Sequence, residues 1–151
     1  MTPWHCSECS CTDESLRYSS GKIPKCKDCQ RYYNVTVNAK RERSGGVTFA
    51  VAFSREEFLA WIATQSRKCR YCGVTDAELG TLGIKSQIKL KVEALGIDRL
   101  DPGAHYTLSN IALCCFACNK AKGNVFTEAE MTTIGRAIAE VWQGRRGGGA
   151  A

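Results

Sequence analysis

Four Cys-x-x-Cys pairs constrain this chain more than anything else in it: Cys6/Cys9, Cys26/Cys29, Cys69/Cys72 and Cys115/Cys118. Each pair bends the backbone into a knuckle that aims two sulfurs at one point, and two knuckles complete a tetrahedron of thiolates for Zn²⁺. Sequential pairing gives two structural zinc ions, one on Cys6, Cys9, Cys26 and Cys29 and one on Cys69, Cys72, Cys115 and Cys118. Interleaved pairing would instead drag the N-terminal loop across the rest of the chain. Ten cysteines would also suit a secreted disulfide scaffold, but the opening residues lack a signal peptide's apolar stretch, and disulfides do not favour this spacing four times over. Cys11 and Cys114 are surplus to the two tetrahedra, and His5 adjoins a site that four cysteines already fill.

The zinc sites change the charge argument. The formal net charge is +6, but each Zn(Cys)₄ centre carries two negative units, which brings the folded protein to about +2. Local charge says more. From Lys22 to Arg43 seven basic residues stand against two acidic ones, and Tyr32, Tyr33, Asn34 and Asn38 lie among them. Lys27, Arg31, Lys40 and Arg41 can neutralise phosphates, while the tyrosines and amides can reach base edges, so double-stranded DNA is the partner this segment suits. A solvated basic surface is the plainer alternative. The longest apolar run, Ile111 to Cys118, falls far short of the roughly 18 residues that cross a bilayer, so no membrane and a cytoplasmic setting are expected.

Five segments follow from the pattern. Residues 1–45 form a zinc unit too short to bury a core without its staple, with a helix from Cys29 to about Arg43. Residues 46–68 connect, through a strand at Val47–Phe53 and a helix opened by the capping box Ser54/Glu57. Residues 69–126 hold the second zinc pair, a strand over Gln87–Val92 with a basic outer side, a bulge at Glu93-Ala94, a short strand at Ile111–Cys114, and a helix from the Cys115 knuckle to Gly123. Residues 127–143 read as a helix capped by Thr127/Glu130, with Met131, Ile134, Ile138 and Val141 as its apolar stripe. Residues 144–151 read as a disordered tail. The fold class is a small zinc-stabilised α+β protein.

The second zinc pair brackets Leu95-Gly-Ile-Asp98-Arg99-Leu-Asp101, then Asn110, then Cys118-Asn119-Lys120-Ala-Lys122. Asp98 at a strand end and Asn119 in the first turn of the next helix offer two hard oxygens, which suits Mg²⁺ because it takes few protein ligands and completes its shell with water and phosphate. Taken singly, Asp98 is equally a turn acid and Asn119 a helix cap. Lys122 either contacts backbone phosphate or covers the helix end.

In combination, Leu-Gly-Ile-Asp98-Arg99-Leu-Asp, Tyr106-Thr-Leu-Ser-Asn110 and Cys115-x-x-Cys118-Asn119-x-x-Lys122 resemble the HNH nucleases of the ββα-metal (His-Me finger) fold over about residues 69–126. Phe58-Leu-Ala-Trp61 and Trp142-Gln-Gly144-Arg145 are similar to a small rare-cutting restriction enzyme of that family, which carries the likeness over nearly the whole chain. The resemblance implies a Mg²⁺-dependent endonuclease, with Mn²⁺ as a substitute, in which Asp98 and Asn119 hold the metal and Asn110 braces the loop. One position departs from the family pattern. Where it usually places a histidine base, this chain has Arg99, whose guanidinium accepts no proton near neutral pH. Arg99 then suits a clamp on the scissile phosphate, and the general base is left between His105 and Tyr106. The reading is a sequence-specific endonuclease that cuts both DNA strands as a homodimer, one metal per copy. The alternatives are a phage or homing nickase and a non-catalytic zinc DNA-binding protein.

Overall fold

The computed structural model describes residues 3–19, 22–41, 46–84 and 92–148. The chain divides into two compact units, residues 1–65 with 106–108, and residues 66–105 with 109–151. Each unit repeats one local plan of knuckle, antiparallel strand pair and helix.

In the first unit the knuckle Cys6–Cys9 precedes β1 (Arg17–Tyr18), which pairs with β2 (Lys25–Cys26). The helix α1 (Lys27–Lys40) follows at once, because Cys26 is its N-cap and the Cys26 sulfur accepts the Cys29 N–H. A cysteine here does the work usually given to Ser or Asp, satisfying one of the N–H groups a helix start leaves unpaired. α1 starts two residues before the sequence expectation and ends three before it. Its inner face is Cys29, Val35 and Ala39, joined by the buried pair Asp28 and Arg31. Trp4, Leu16 and Leu59 pack around the buried Cys6, Cys26 and Cys29. α2 (Arg55–Ala63) opens on the Ser54/Glu57 capping box, each side chain bonding the other's backbone, an arrangement that stabilises a helix start by about 1 kcal/mol. Its Phe58 stacks on Phe53 and tilts against Tyr32 and Trp61.

The expected strand at Val47–Phe53 does not form as a strand. Val51 makes a single parallel bridge to Tyr106, flanked by bonds from Tyr106 N–H to Ala50 and from Ala52 N–H to Tyr106. A strand needs a partner edge along its length, and Tyr106 bridges this segment at Val51 alone.

In the second unit the knuckle Cys69–Cys72 leads through Val74 to a one-turn helix, α3 (Glu78–Thr81), whose Glu78 carboxylate accepts the Thr75 N–H at 2.9 Å. The Gln87–Val92 strand falls mostly outside the described residues, and Val92, at its end, is irregular. β3 (Gly96–Arg99) and β4 (Ile111–Cys114) pair antiparallel, with Asp98 opposite Ala112 and Arg99 opposite Ile111. α4 (Phe116–Lys122) opens on Cys115, whose sulfur accepts the Cys118 N–H, and closes at Gly123 with φ +51°. Val74, Leu79, Leu95, Ile111, Leu113 and Met131 are among the buried apolar side chains of this unit that lie outside the cysteine cluster.

The last helix, α5 (Glu128–Gly147), starts on its expected capping box but runs four residues beyond its expected end. Arg145 donates to the Leu82 carbonyl at 2.7 Å and Arg146 to Glu78 at 2.9 Å, so residues 144–147 are anchored rather than part of a loose tail. Its buried face is Met131, Gly135 and Trp142, while Val141 is 53% exposed. The apolar stripe read from the sequence is therefore rotated, because the glycine that permits close packing carries no hydrophobic signal. No helix among the described residues is long and apolar enough to cross a membrane.

Candidate active site and metal centres

The eight cysteines gather into two clusters, Cys6/Cys9/Cys26/Cys29 and Cys69/Cys72/Cys115/Cys118, with sulfurs within 4.8 Å of one another. A Zn–S bond of about 2.3 Å sets a tetrahedral edge of about 3.8 Å. The Cys9–Cys26 and Cys72–Cys115 sulfurs stand 3.7 and 3.6 Å apart, which fits that edge. So many thiols cannot all ionise unaided. Hydrogen bonding from the Cys29 thiol pulls Cys26 down to about 5, and burial pushes Cys9 up to about 11. Cys6, Cys9, Cys26 and Cys29 would hold a dication such as zinc at the centre, whose charge would let all four ligate as thiolates.

The second unit brings the candidate catalytic residues onto the β3–β4 pair and α4. Asp98 is on β3 and only 5% exposed. Tyr71, inside the zinc knuckle, donates its hydroxyl to Asp98 Oδ2 at 2.7 Å, and Lys122 Nζ lies 3.3 Å from each carboxylate oxygen. Lys122 Nζ also donates to the Arg99 carbonyl at 2.6 Å. Burial pushes the Asp98 carboxyl above its usual range, against the Tyr71 hydrogen bond and the positive charges of Lys122 and Arg99. Burial and the same carboxylate push the Tyr71 phenol far upward, so Tyr71 keeps its proton and remains a donor. A carboxylate offers about four lone-pair positions, and these partners leave one of them for a cation.

Asn119 stands one turn before Lys122 on α4 and is exposed. Lys122, three residues on, is buried against Asp98, whereas the Asn119 side chain is open to solvent. A carboxylate and an amide are both hard oxygen donors of the kind Mg²⁺ takes.

Arg99 is 6% exposed and donates to the Ala104 carbonyl at 2.9 Å. That carbonyl sits in the 100–110 turn, which Asn110 ties from within. Its Oδ1 accepts the Asp101 N–H at 2.9 Å, and its Nδ2 donates to the carbonyls of Asp101 and His105 at 3.2 and 2.9 Å. His105 is exposed at the end of this turn. Tyr106 is buried and belongs to the first unit through its pairing with Ala50 and Ala52.

The residues expected to contact DNA divide by orientation. Tyr33 is 51% exposed, with Lys25 Nζ 4.8 Å from its ring centre, and Asn34, Asn38, Lys40 and Arg41 are exposed along the same helix. Lys27 is half-buried and donates to the Ser15 carbonyl. Three others turn inward. Arg31 is enclosed with Asp28, Tyr32 packs on Phe53 and Phe58, and Lys122 is 1% exposed against Asp98. Tyr71 was not legible as a site residue, because the variable positions of a Cys-x-x-Cys knuckle carry no signal of their own.

Neither a family model nor a curated protein matches the chain. Among solved structures, the rare-cutting HNH restriction endonuclease PacI is 33% identical to it, with a TM-score of 0.81 over 94% of this chain and 97% of that one. Identity at that level along nearly the full length of both chains means that this chain belongs to the HNH endonuclease family.

Proposed function

We propose that this protein is a sequence-specific, Mg²⁺-dependent endonuclease of the type II restriction kind, which hydrolyses both strands of double-stranded DNA as a homodimer. The observation that carries the reading is the buried Asp98 carboxylate, held by Tyr71 and Lys122, in a chain 33% identical to an HNH restriction endonuclease. Asp98 and Asn119 would hold the cation, which supplies charge stabilisation at the departing oxygen. Arg99 presents a guanidinium to the transition-state phosphate, where its planar fork can make two parallel bonds. Asn110 keeps the turn behind Arg99 in one shape. His105 or Tyr106 takes the proton from the attacking water.

DNA contact falls to the outer face of α1, where Tyr33, Asn34, Asn38 and Lys40 are exposed, and to the exposed Arg41 at its C-cap. Two metal centres are needed to break two strands, which is why two copies on a two-fold site suit a chain of this size.

Plasmid incubated with Mg²⁺ or with EDTA tests the whole reading. Linear product that depends on Mg²⁺ supports it, nicked circle points to a monomeric nickase, and a gel shift without cleavage to a binding protein. Asp98→Ala and Asn119→Ala should each lower cleavage by about 10³-fold or more while DNA affinity stays within a few-fold. Cleavage within tenfold of wild type would remove the altered residue from the metal site.

A further inference from the structure

The two cysteine clusters differ in what supports them. In the first, the N–H donors to sulfur come from backbone, Cys26 N–H to Cys6 at 3.3 Å and Cys29 N–H to Cys26 at 3.4 Å. In the second, besides the Cys118 N–H on Cys115, a side chain from 70 residues away takes part: Trp142 Nε1 donates to Cys72 Sγ at 3.3 Å.

Trp142 is 6% exposed, so its N–H, a donor with no acceptor capacity, must find a partner inside the protein. That partner is a sulfur of the metal cluster. The ring is fixed from a second side, with the Arg145 guanidinium 4.8 Å from its centroid, and Arg145 is itself tied to the Leu82 carbonyl. An indole held on both edge and face is a rigid donor, and a rigid donor on a thiolate stabilises the ligating form while fixing its direction.

We infer that Trp142 is a positioning residue of the second zinc centre: its indole N–H holds the Cys72 thiolate in place and slows loss of that zinc alone. The inference rests on reading the cysteine clusters as zinc sites. It makes α5 part of the metal centre although α5 contributes no ligand, and it couples docking of α5 to zinc occupancy in both directions.

The experiment uses the full chain loaded with zinc. Elemental analysis first fixes two zinc ions per wild-type chain, and fewer would remove the ground on which the inference stands before any variant is compared. Trp142→Phe keeps an aromatic ring and deletes the N–H. Challenged with a chromogenic chelator, the variant should release one zinc about 10- to 100-fold faster than wild type and the other at the wild-type rate. Release of both at the wild-type rate, or of both faster by the same factor, would overturn the assignment. A measurement without substitution stands beside it: in wild-type protein loaded with ¹¹³Cd, the Trp142 indole proton should correlate through the hydrogen bond with one cadmium resonance. A well-resolved indole signal with no such correlation overturns it equally.

Discussion

Two glycines in α5 should respond to the same substitution with opposite signs. A Cβ placed on Gly135 would lie 2.6 Å from both the Tyr71 Cβ and the Tyr71 carbonyl oxygen, and 2.8 Å from its carbonyl carbon. Non-bonded carbons rest at about 3.5–4.0 Å, so Gly135→Ala requires a shift of about 1 Å. What must move is backbone and Cβ, not a flexible side-chain end. Overpacking of this kind costs about 3 kcal/mol at the upper end of its usual range, offset by the roughly 1 kcal/mol that alanine gains over glycine inside a helix. The net loss is about 2 kcal/mol, or roughly 4–8 °C of melting temperature for a chain of this length. At Gly144 a Cβ meets nothing within 4 Å, so only the helix term remains. Gly144→Ala should raise the melting temperature by about 1–3 °C, the lower figure reflecting its place near the helix end.

The displaced atoms at Gly135 belong to the residue whose hydroxyl holds Asp98. Misplacing a catalytic group by about 1 Å can cost about 10² in rate, so Gly135→Ala should lose cleavage activity even well below its melting temperature, and Gly144→Ala should keep it. Calorimetry of the zinc-loaded protein and plasmid cleavage at 20 °C measure the two effects separately. A Gly135→Ala protein that melts at or above wild type with full activity would show that α5 does not press on the knuckle.

Two further outcomes follow from charge. Glu78 accepts from the Thr75 N–H and from Arg146, which hold its carboxyl below the usual range. A depressed folded pKa stabilises above the unfolded value and is lost as pH falls through the folded one, so Glu78→Gln should melt below wild type at pH 7, with the gap closing in acid; a gap that persists at the lowest pH would count against the carboxylate. Replacing Lys40 and Arg41 together by alanine should weaken DNA binding and reduce its log–log salt slope by about two units, measured by anisotropy, and an unchanged slope would take α1 off the phosphates.

The elements that could be read from sequence were those whose signal is local. The capping boxes at Ser54/Glu57 and Thr127/Glu130 and the helix closing at Gly123 each depend on residues within a turn of one another, and the structure has all of them. The Val47–Phe53 segment has strand composition, but a strand also depends on a distant edge, and Tyr106 offers only one bridge. The face of α5 was misjudged for a related reason. Of the stripe Met131, Ile134, Ile138 and Val141, Met131 is buried as expected, but the buried line continues through Gly135, against Tyr71, and Trp142, against the sulfur of Cys72.

The site shows the same limit at closer range. Asp98 and Asn119 stand out because a carboxylate and an amide flanking a zinc knuckle form a pattern in the sequence itself. Lys122 stands out as well, and a lysine in the last turn of a short helix reads naturally as a surface cation. What decides its role is its burial at the end of α4, where Lys122 is 1% exposed. There its ammonium meets both oxygens of Asp98 and the carbonyl of Arg99. Neither charge could be buried alone, since an unpaired ion in such surroundings costs several kcal/mol. Asp98 can be sunk to 5% exposure, where water competes little for a cation, because Lys122 is sunk with it. The lysine and the aspartate look like two separate surface features in the sequence; in the folded chain they are one ion pair.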